Sequence, residues 1–190
     1  MSVATTGASQ TSRNPARILV YGFGPYRHFQ KNVTETILRQ FPRRPRLKRI
    51  VFPVKFHRTQ FIKAVNAYKP DIILGLGQCS RGSLLRIESG AYNRRRSTKS
   101  QKPTPIVRGG ARKLSTNLPL ELGRKARSSK NPGDYVCNYS MYVMLRFLKR
   151  RRWPGSLGFV HVPHRYDPKK ATQLLVMALG RVVAERKNRS

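Results

Sequence analysis

The sequence predicts an α/β fold, a three-layer sandwich in which helices flank a mostly parallel, twisted sheet. Two observations predict it. Short apolar runs of strand length alternate along the chain with stretches whose apolar residues recur at helical spacing. Proline or glycine follows most of these segments and marks where they end. Strands that alternate with helices are typical of βαβ units and therefore of a parallel sheet.

The N-terminal half supplies the first five elements. In order, they are a strand over 17–22, a helix over 34–41, a strand over 47–54, a helix over 56–68 and a strand over 71–77. Pro42 and Pro70 terminate the two helices because proline cannot continue a helix. The second helix is amphipathic, and its expected core residues are Phe56, Ile62, Val65 and Tyr68. The 71–77 run is apolar throughout and predicts a central strand buried on both faces.

The C-terminal half continues the pattern. Its expected elements are a strand over 84–93, a basic loop over 94–113, a helix over 135–152, a strand over 156–162 and a helix over 171–185. We expect one α/β domain over residues 16–190. Residues 1–15 are rich in Ser and Thr and predict a disordered tail. A weak organelle-targeting segment is the alternative for the same residues.

The charge of the chain is its most unusual property. The chain has 40 Lys and Arg residues against 7 Asp and Glu residues, a net charge of +33. A solvated basic shell and contact with a polyanion both fit this charge. The chain has no basic-region heptads, zinc-finger cysteine pairs or RNA-recognition motif, so nucleic-acid binding is not indicated as its main function. Non-specific binding to nucleic acid or another polyanion remains open as a second property.

Two cysteines, Cys79 and Cys137, cannot form a disulfide framework, and free thiols suit a reducing compartment. The sequence has no apolar run that approaches the roughly 18 residues of a membrane span. We therefore expect a cytoplasmic protein that does not contact the membrane, and a homo-oligomer remains open.

Cys137 is the candidate nucleophile. It follows Gly133 at the start of the predicted 135–152 helix. The positive end of a helix dipole lowers the pKa of a thiol and favours the reactive thiolate. Position alone also fits an inert buried cysteine.

His161 and Glu88 are the candidate partners of this thiol. His161 lies at the end of an apolar strand, where the loops of an open α/β sheet form a crevice. A thiol nucleophile needs a positioned base, and a histidine base needs an orienting acid. Glu88 lies among apolar residues of a predicted strand, where a carboxylate is costly to bury unless it is paired. A contact with His161 would offset that cost.

Five segments in order resemble the pyroglutamyl peptidase I family of cysteine peptidases. They are Gly22-Phe23-Gly24-Pro25-Tyr26, Leu76-Gly77-Gln78, Ile87-Glu88, Tyr135-Val136-Cys137-Asn138 and His161-Val162-Pro163. Each segment alone is weak, but five in the family order are a specific signal. The resemblance covers about residues 17–187.

The resemblance implies an enzyme that removes an N-terminal pyroglutamate (5-oxoproline) from peptides through a thioester, with no metal and no cofactor. It assigns Cys137, His161 and Glu88 as the catalytic residues. It also implies a substrate pocket for a flat, uncharged lactam, and the residues that form this pocket are Phe23, Tyr26, Asn32 and Gln78. For Phe23, a purely structural place in the core is the alternative. For the whole chain, the alternative is a basic protein that binds nucleic acid or another polyanion on a peptidase fold, with weak or no catalysis.

The chain departs from the family pattern in four places. Tyr26 replaces the usual phenylalanine, and the 119–133 segment is shorter than in a typical member, so one helix is expected to be trimmed. The arginine that aids the oxyanion in the family cannot be assigned among Arg94, Arg95 and Arg96. Asp134 lies three residues before Cys137, where a carboxylate would raise the pKa of the thiol.

Overall fold

The computed structural model describes residues 14–26 and 30–188. The strands within them are β1 (Ile18–Phe23), β2 (Leu47–Phe52), β3 (Ile72–Cys79), β4 (Leu85–Glu88), β5 (Gly90–Tyr92), β6 (Lys113–Ser115), β7 (Ala126–Ser129) and β8 (Ser156–Pro163). The helices are α1 (Val33–Gln40), α2 (Arg58–Tyr68), α3 (Val136–Arg150) and α4 (Pro168–Asn188).

Six strands form the central sheet, in the order β2-β1-β3-β8-β4-β7. Neighbouring strands are parallel except for β4 and β8, which are antiparallel. Each residue of β3 is buried, as expected for a strand covered on both faces. The prediction of a mostly parallel sheet with β3 near its centre is confirmed.

Helices cover both faces of this sheet. On one face, α2 and α3 contribute residues such as Phe61 and Tyr142 to one apolar core. On the other face, α1 and α4 contribute residues such as Ile37 and Leu175 to a second core. The predicted three-layer sandwich is therefore confirmed.

The segment predicted as one strand over 84–93 is two strands in two different sheets. Strand β4 ends at Glu88, and β5 pairs with β6 in a separate two-stranded sheet. Ser89 links the two sheets, because its N–H donates to Ser129 and its carbonyl accepts from the N–H of Thr116. The predicted basic loop over 94–113 also carries local order, since Arg95 and Thr104 form a β-bridge.

Helix α2 begins later than the sequence predicts, at Arg58. Phe56 lies before the helix, and its ring packs edge-on against the rings of Tyr135 and Tyr139. Phe61 and Val65 are the buried residues of α2, so the sequence analysis missed Phe61. Ile62 and Tyr68 are only partly buried.

The topology brings several chain segments to one edge of the sheet. The parallel strands β1, β3 and β8 all end there, and α3 begins beside them. This edge is where open α/β sheets place their ligands.

The 119–133 segment, where a trimmed helix was expected, holds a three-residue 3₁₀ turn over Gly123–Lys125 and strand β7.

The predicted disordered tail over residues 1–15 lies mostly outside the described residues and stays a prediction. None of the helices in the described ranges is both long and apolar enough to span a membrane.

Gly75 allows two large side chains to meet the centre of the sheet. A Cβ atom on Gly75 would lie 2.4 Å from Phe159 and 2.6 Å from Tyr21, both fully buried. We expect Gly75→Ala to lower the free energy of unfolding by about 1–3 kcal/mol, the usual cost of overpacking a core. Urea denaturation followed by circular dichroism measures this change.

Gly180→Ala is the matched control. Gly180 lies within α4 with no atom within 4 Å of its Cβ position. Alanine there should raise stability by about 0.5–1 kcal/mol, because glycine is a poor helix former. Equal stability of Gly75→Ala and the unaltered protein would contradict the proposed packing constraint.

Candidate active site

A cavity of about 360 Å³ opens where the ends of β1, β3 and β8 meet the start of α3. Its wall contains six of the seven residues singled out from the sequence, namely Phe23, Tyr26, Asn32, Gln78, Cys137 and His161. The seventh, Glu88, is fully buried behind His161. The structure therefore brings all seven together.

Cys137 is the second residue of α3. Gly133 has a φ of +81° and so permits the turn into this helix, a conformation that glycine adopts readily. Tyr135 precedes the helix without capping it by a side-chain hydrogen bond. The first N–H groups of a helix have no partner inside it, so this end can bind negative charge. The N–H of Cys137 interacts with its own sulfur and lowers the pKa of the thiol.

The Cys137 thiol and the His161 ring meet above Gly77. His161 on β8 is paired with Gly77 on β3. A Cβ atom on Gly77 would lie 2.7 Å from the Cys137 Sγ and 2.8 Å from the His161 Cδ2. Any larger residue at this position would push the two groups apart.

Glu88 binds the inner side of the His161 ring. Strand β4 runs antiparallel to β8, and this pairing turns Glu88 toward the ring. The Glu88 Oε1 lies 2.7 Å from the His161 Nδ1. An ionised carboxylate can only accept, so Nδ1–H donates and Nε2 is left as the acceptor. Glu88 Oε2 has no hydrogen-bond partner among the described residues, so His161 is the group that compensates this buried charge.

Burial raises the pKa of the Cys137 thiol to about 12. The negative charge of Glu88 and the neighbouring Cys79 contribute to this rise, whereas the backbone N–H and Arg86 oppose it. No hydrogen bond joins the thiol to His161 in the described part of the chain. The raised pKa favours the neutral thiol over the thiolate at neutral pH, so the lowering expected from the helix dipole does not prevail.

Asp134 is not the carboxylate that acts on this thiol. Its Oδ2 lies 2.7 Å from the Arg96 Nε, and its backbone carbonyl accepts from the Arg96 N–H. The ion pair neutralises Asp134, and Glu88 is the carboxylate that raises the pKa of Cys137. The effect expected from the sequence is present, but a different residue produces it.

The four residues implied for lactam binding differ in what their side chains contact. Phe23 is 1% exposed and also packs edge-on against Tyr21, so it belongs to the core as well as to the cavity wall. Tyr26 is half-buried and its ring lies 6.4 Å from that of Tyr135. The side chain of Asn32 caps α1 and donates to the Gly24 carbonyl, so it shapes the wall through the backbone.

Gln78 has hydrogen-bonding capacity to spare. Its Oε1 accepts from the N–H of Val33, which fixes the orientation of the amide. Its Nε2 is buried in the cavity wall and has no hydrogen-bond partner in the described ranges. A polar ligand atom in the cavity would satisfy this donor.

Asn138 ties the start of α3 to the small sheet. Its Oδ1 accepts from the N–H of Tyr92, and its Nδ2 donates to the carbonyls of Tyr92 and Arg94. The side chain is fully buried, so these three hydrogen bonds hold the helix start firmly in place. Cys137, the preceding residue, is held with it.

A family model described as pyroglutamyl peptidase matches residues 16–176 of this chain. The chain belongs to the pyroglutamyl peptidase family. The resemblance inferred from five short segments is confirmed, and so is the assignment to a family of cysteine peptidases.

Curated relatives and solved structures agree with this family. Pyrrolidone-carboxylate peptidase 1 of Saccharolobus solfataricus is 26% identical over 166 residues, which cover 77% of this chain and 78% of that protein. The enzyme of Erwinia tasmaniensis is 30% identical over 142 residues, 63% of this chain and 66% of that protein. The pyrrolidone carboxyl peptidase structure from Thermococcus litoralis superposes with a TM-score of 0.82 at 23% identity, covering 92% of this chain and 96% of that one. This last similarity shows the fold.

Three arginines were candidates for the arginine that aids the oxyanion in the pyroglutamyl peptidase family. Arg94 donates to the side chain of Asn131, and Arg95 stacks over Phe56 and Tyr139. Arg96 lines the cavity but is ion-paired with Asp134.

Arg86 is a cavity residue that sequence reasoning missed. It lines the cavity beside Cys79 and is paired with His161 across the strands. The signal was available, because Arg86 precedes Glu88 by two residues and therefore shares its face of β4.

Tyr135 and Lys99 also line the cavity, and neither was singled out from the sequence. In the described residues, no group of three or more His, Cys, Asp or Glu side chains is placed to hold a metal ion.

The raised pKa of Cys137 predicts how its reactivity depends on pH. The thiolate is the reactive form, and a thiol pKa above the usual value makes the thiolate scarce until the pH is high. We expect the rate of Cys137 alkylation by iodoacetamide in the free protein to keep rising above pH 9. Peptide mass spectrometry at each pH measures this rate. A plateau between pH 5 and 8 would indicate a preformed thiolate–imidazolium pair and contradict this prediction.

Proposed function

We propose that this protein is a cysteine peptidase that removes N-terminal pyroglutamate from peptides through a thioester at Cys137. The observation that carries the proposal is the buried Glu88–His161 pair at 2.7 Å, which lies next to the Cys137 thiol in a chain of this family. A thiol, a base and an orienting acid are the three groups that nucleophilic acyl transfer needs.

In the first half of the reaction, Cys137 attacks the carbonyl carbon of the pyroglutamyl residue. His161 Nε2 takes the thiol proton as the sulfur–carbon bond forms, because the neutral thiol is a poor nucleophile. The same nitrogen then donates this proton to the leaving amine as the peptide bond breaks. The N–H of Cys137 at the start of α3 is placed to stabilise the oxyanion of the tetrahedral intermediate.

In the second half, water hydrolyses the thioester. His161 removes a proton from the water as the water oxygen bonds to the thioester carbonyl carbon. The sulfur–carbon bond then breaks, His161 returns the proton to the Cys137 sulfur, and free pyroglutamate leaves. Glu88 holds the ring in one tautomer through Nδ1–H and stabilises the imidazolium that forms in each half. Because Glu88 is fully buried, this stabilisation is not weakened by water.

Recognition of the lactam is assigned to the aromatic and amide side chains of the wall. Phe23 and Tyr26 offer flat surfaces to an uncharged ring. The unpartnered Nε2 of Gln78 can donate to a carbonyl oxygen of the ligand. Asn32 holds the wall in shape through its cap on α1.

We expect Cys137→Ala to abolish release of a coumarin amine from pyroglutamyl-aminomethylcoumarin, since the thioester cannot form. Glu88→Gln should lower kcat by about a hundredfold to ten-thousandfold, because an amide disturbs the ring tautomer and leaves the imidazolium unpaired. Continuous fluorescence measures both rates.

Cys79→Ser is the matched control, since it removes the other thiol and should retain most of the activity. Iodoacetamide should modify Cys137 before the buried Cys79. Retained activity in Cys137→Ala would end the proposal.

A prolyl substrate with a free amine should be poor, because the pocket would bury an uncompensated charge.

The large excess of cations supports a second property, non-specific binding to polyanions. The chain carries +33, and its acids can neutralise few of its 40 cations. Binding to nucleic acid driven by counterion release alone is expected from such a charge.

Two further expectations stay predictions. They are a cytoplasmic location, which suits the two free thiols, and assembly into a homo-oligomer.

Salt should separate the two properties. We expect binding to a random-sequence RNA 20-mer, measured by fluorescence anisotropy, to fall steeply as salt rises. Turnover of the neutral coumarin substrate should change little over the same range, because the catalytic groups are buried and weakly screened. Salt-resistant, sequence-specific binding in a protein without peptidase activity would instead favour a nucleic-acid-binding function.

A further inference from the structure

The cavity is larger than the lactam that the proposed reaction would place in it. A five-membered ring with two carbonyl groups fills only part of about 360 Å³. The peptide bond to be cleaved must lie at Cys137, so the residue that follows pyroglutamate has to occupy the remaining space. The side chains around that space therefore determine which peptides bind well.

Among the described residues, three cations and one carboxylate line the cavity in addition to the catalytic histidine. The cations are Arg86, Arg96 and Lys99, and the carboxylate is Asp134. Asp134 is bound by Arg96 at 2.7 Å, so these two charges largely cancel. Arg86 and Lys99 are left without a carboxylate partner on the cavity wall.

The loop that carries Lys99 is ordered by its own hydrogen bonds. Arg96 Nη1 donates to the Lys99 carbonyl at 3.0 Å, so the ion pair that neutralises Asp134 also holds the backbone at Lys99. The N–H groups of Ser97 and Thr98 both point to the Gln101 Oε1. Lys99 is thus a charge on a fixed backbone at the cavity wall, with an exposed side chain that can move toward a ligand.

Arg86 supplies positive charge deeper in the cavity. It is partly buried, and its Nε has no hydrogen-bond partner among the residues that the structure describes. Its positive charge acts to lower the pKa of the Cys79 and Cys137 thiols, against the effect of their burial. Partial burial strengthens its field relative to that of an exposed arginine.

We infer that the enzyme prefers peptides in which an acidic residue directly follows the pyroglutamate, and that Lys99 is the residue that determines this preference. The inference rests on the proposed function and names its substrate class. An Asp or Glu side chain would pair with Lys99 in the field of Arg86. A Lys or Arg side chain there would be repelled by both, so the wall also discriminates against basic peptides.

Local recognition by Lys99 has to be distinguished from steering by the whole surface. The net charge of +33 attracts any acidic peptide at low ionic strength, wherever its charge lies. That attraction is screened beyond about 8 Å at physiological salt. A contact with Lys99 inside a cavity is screened less, so the two effects separate by salt and by substitution.

The experiment compares three peptides, pGlu-Asp-Ala-Ala, pGlu-Asn-Ala-Ala and pGlu-Lys-Ala-Ala, by chromatographic assay of released pyroglutamate at physiological and at high salt. Asparagine matches aspartate in shape and lacks its charge. We expect kcat/KM for the Asp peptide to exceed that for the Asn peptide by about tenfold at physiological salt, equivalent to one well-placed charge contact. The Lys peptide should be the poorest of the three.

Lys99→Gln should reduce the Asp-to-Asn ratio to near one, and Lys99→Glu should make the Lys peptide better than the Asp peptide. Lys187→Gln is the control, because it removes the same charge from the exposed end of α4. This end is remote from the cavity, since the guanidinium of the adjacent Arg186 contacts Asp71 at the opposite edge of the sheet. This control should leave the ratio unchanged.

Equal kcat/KM for the Asp and Asn peptides in the unaltered enzyme would overturn the inference while leaving the proposed function intact. An equal fall in the ratio for Lys99→Gln and Lys187→Gln would also overturn it, because the preference would then belong to the overall charge. Failure to release pyroglutamate from all three peptides would overturn the proposed function itself, and this inference with it.

Discussion

The hydrogen bond between Glu88 and His161 is the interaction on which the architecture of the site depends. A fully buried carboxylate in a sheet is stable only with a partner, and here the partner is one ring nitrogen at 2.7 Å. The contact requires β4 to lie beside β8 and to run against it, in a sheet whose other neighbours are parallel. The reversed strand is therefore tied to the chemistry as well as to the fold.

Most of the few acidic residues make a specific local contact. Five of the seven carboxylates make a specific contact in the described residues: Glu35 with Arg39, Asp71 with Arg17 and Arg186, Glu88 with His161, Asp134 with Arg96, and Asp167 at the start of α4. Most of the 40 cations consequently have no carboxylate partner. The positive field follows from the net charge of +33, which the local contacts of the acids do not change.

Much of this molecule could be predicted from local sequence. The long elements followed from apolar periodicity, and Cys137, His161 and Glu88 were found because each lies at a recognisable end or interior of such an element. Strands β6 and β7, and the break between β4 and β5, escaped because three or four residues carry too little periodicity, and the pairing partners are distant in sequence. The neutralisation of Asp134 escaped for the same reason, since Arg96 lies far from it in the chain and next to it in space.

The hydrogen bonds of Asn138 connect the start of α3, where Cys137 lies, to a part of the protein outside the main sheet. The three hydrogen bonds of Asn138 reach Tyr92 and Arg94, at the edge of a two-stranded sheet that packs beside α3. A two-stranded sheet opens more easily than a six-stranded one, because fewer contacts must break. The position of the Cys137 thiol therefore depends in part on one of the smaller units of the fold. We therefore expect heating to displace the start of α3 before the six-stranded sheet unfolds.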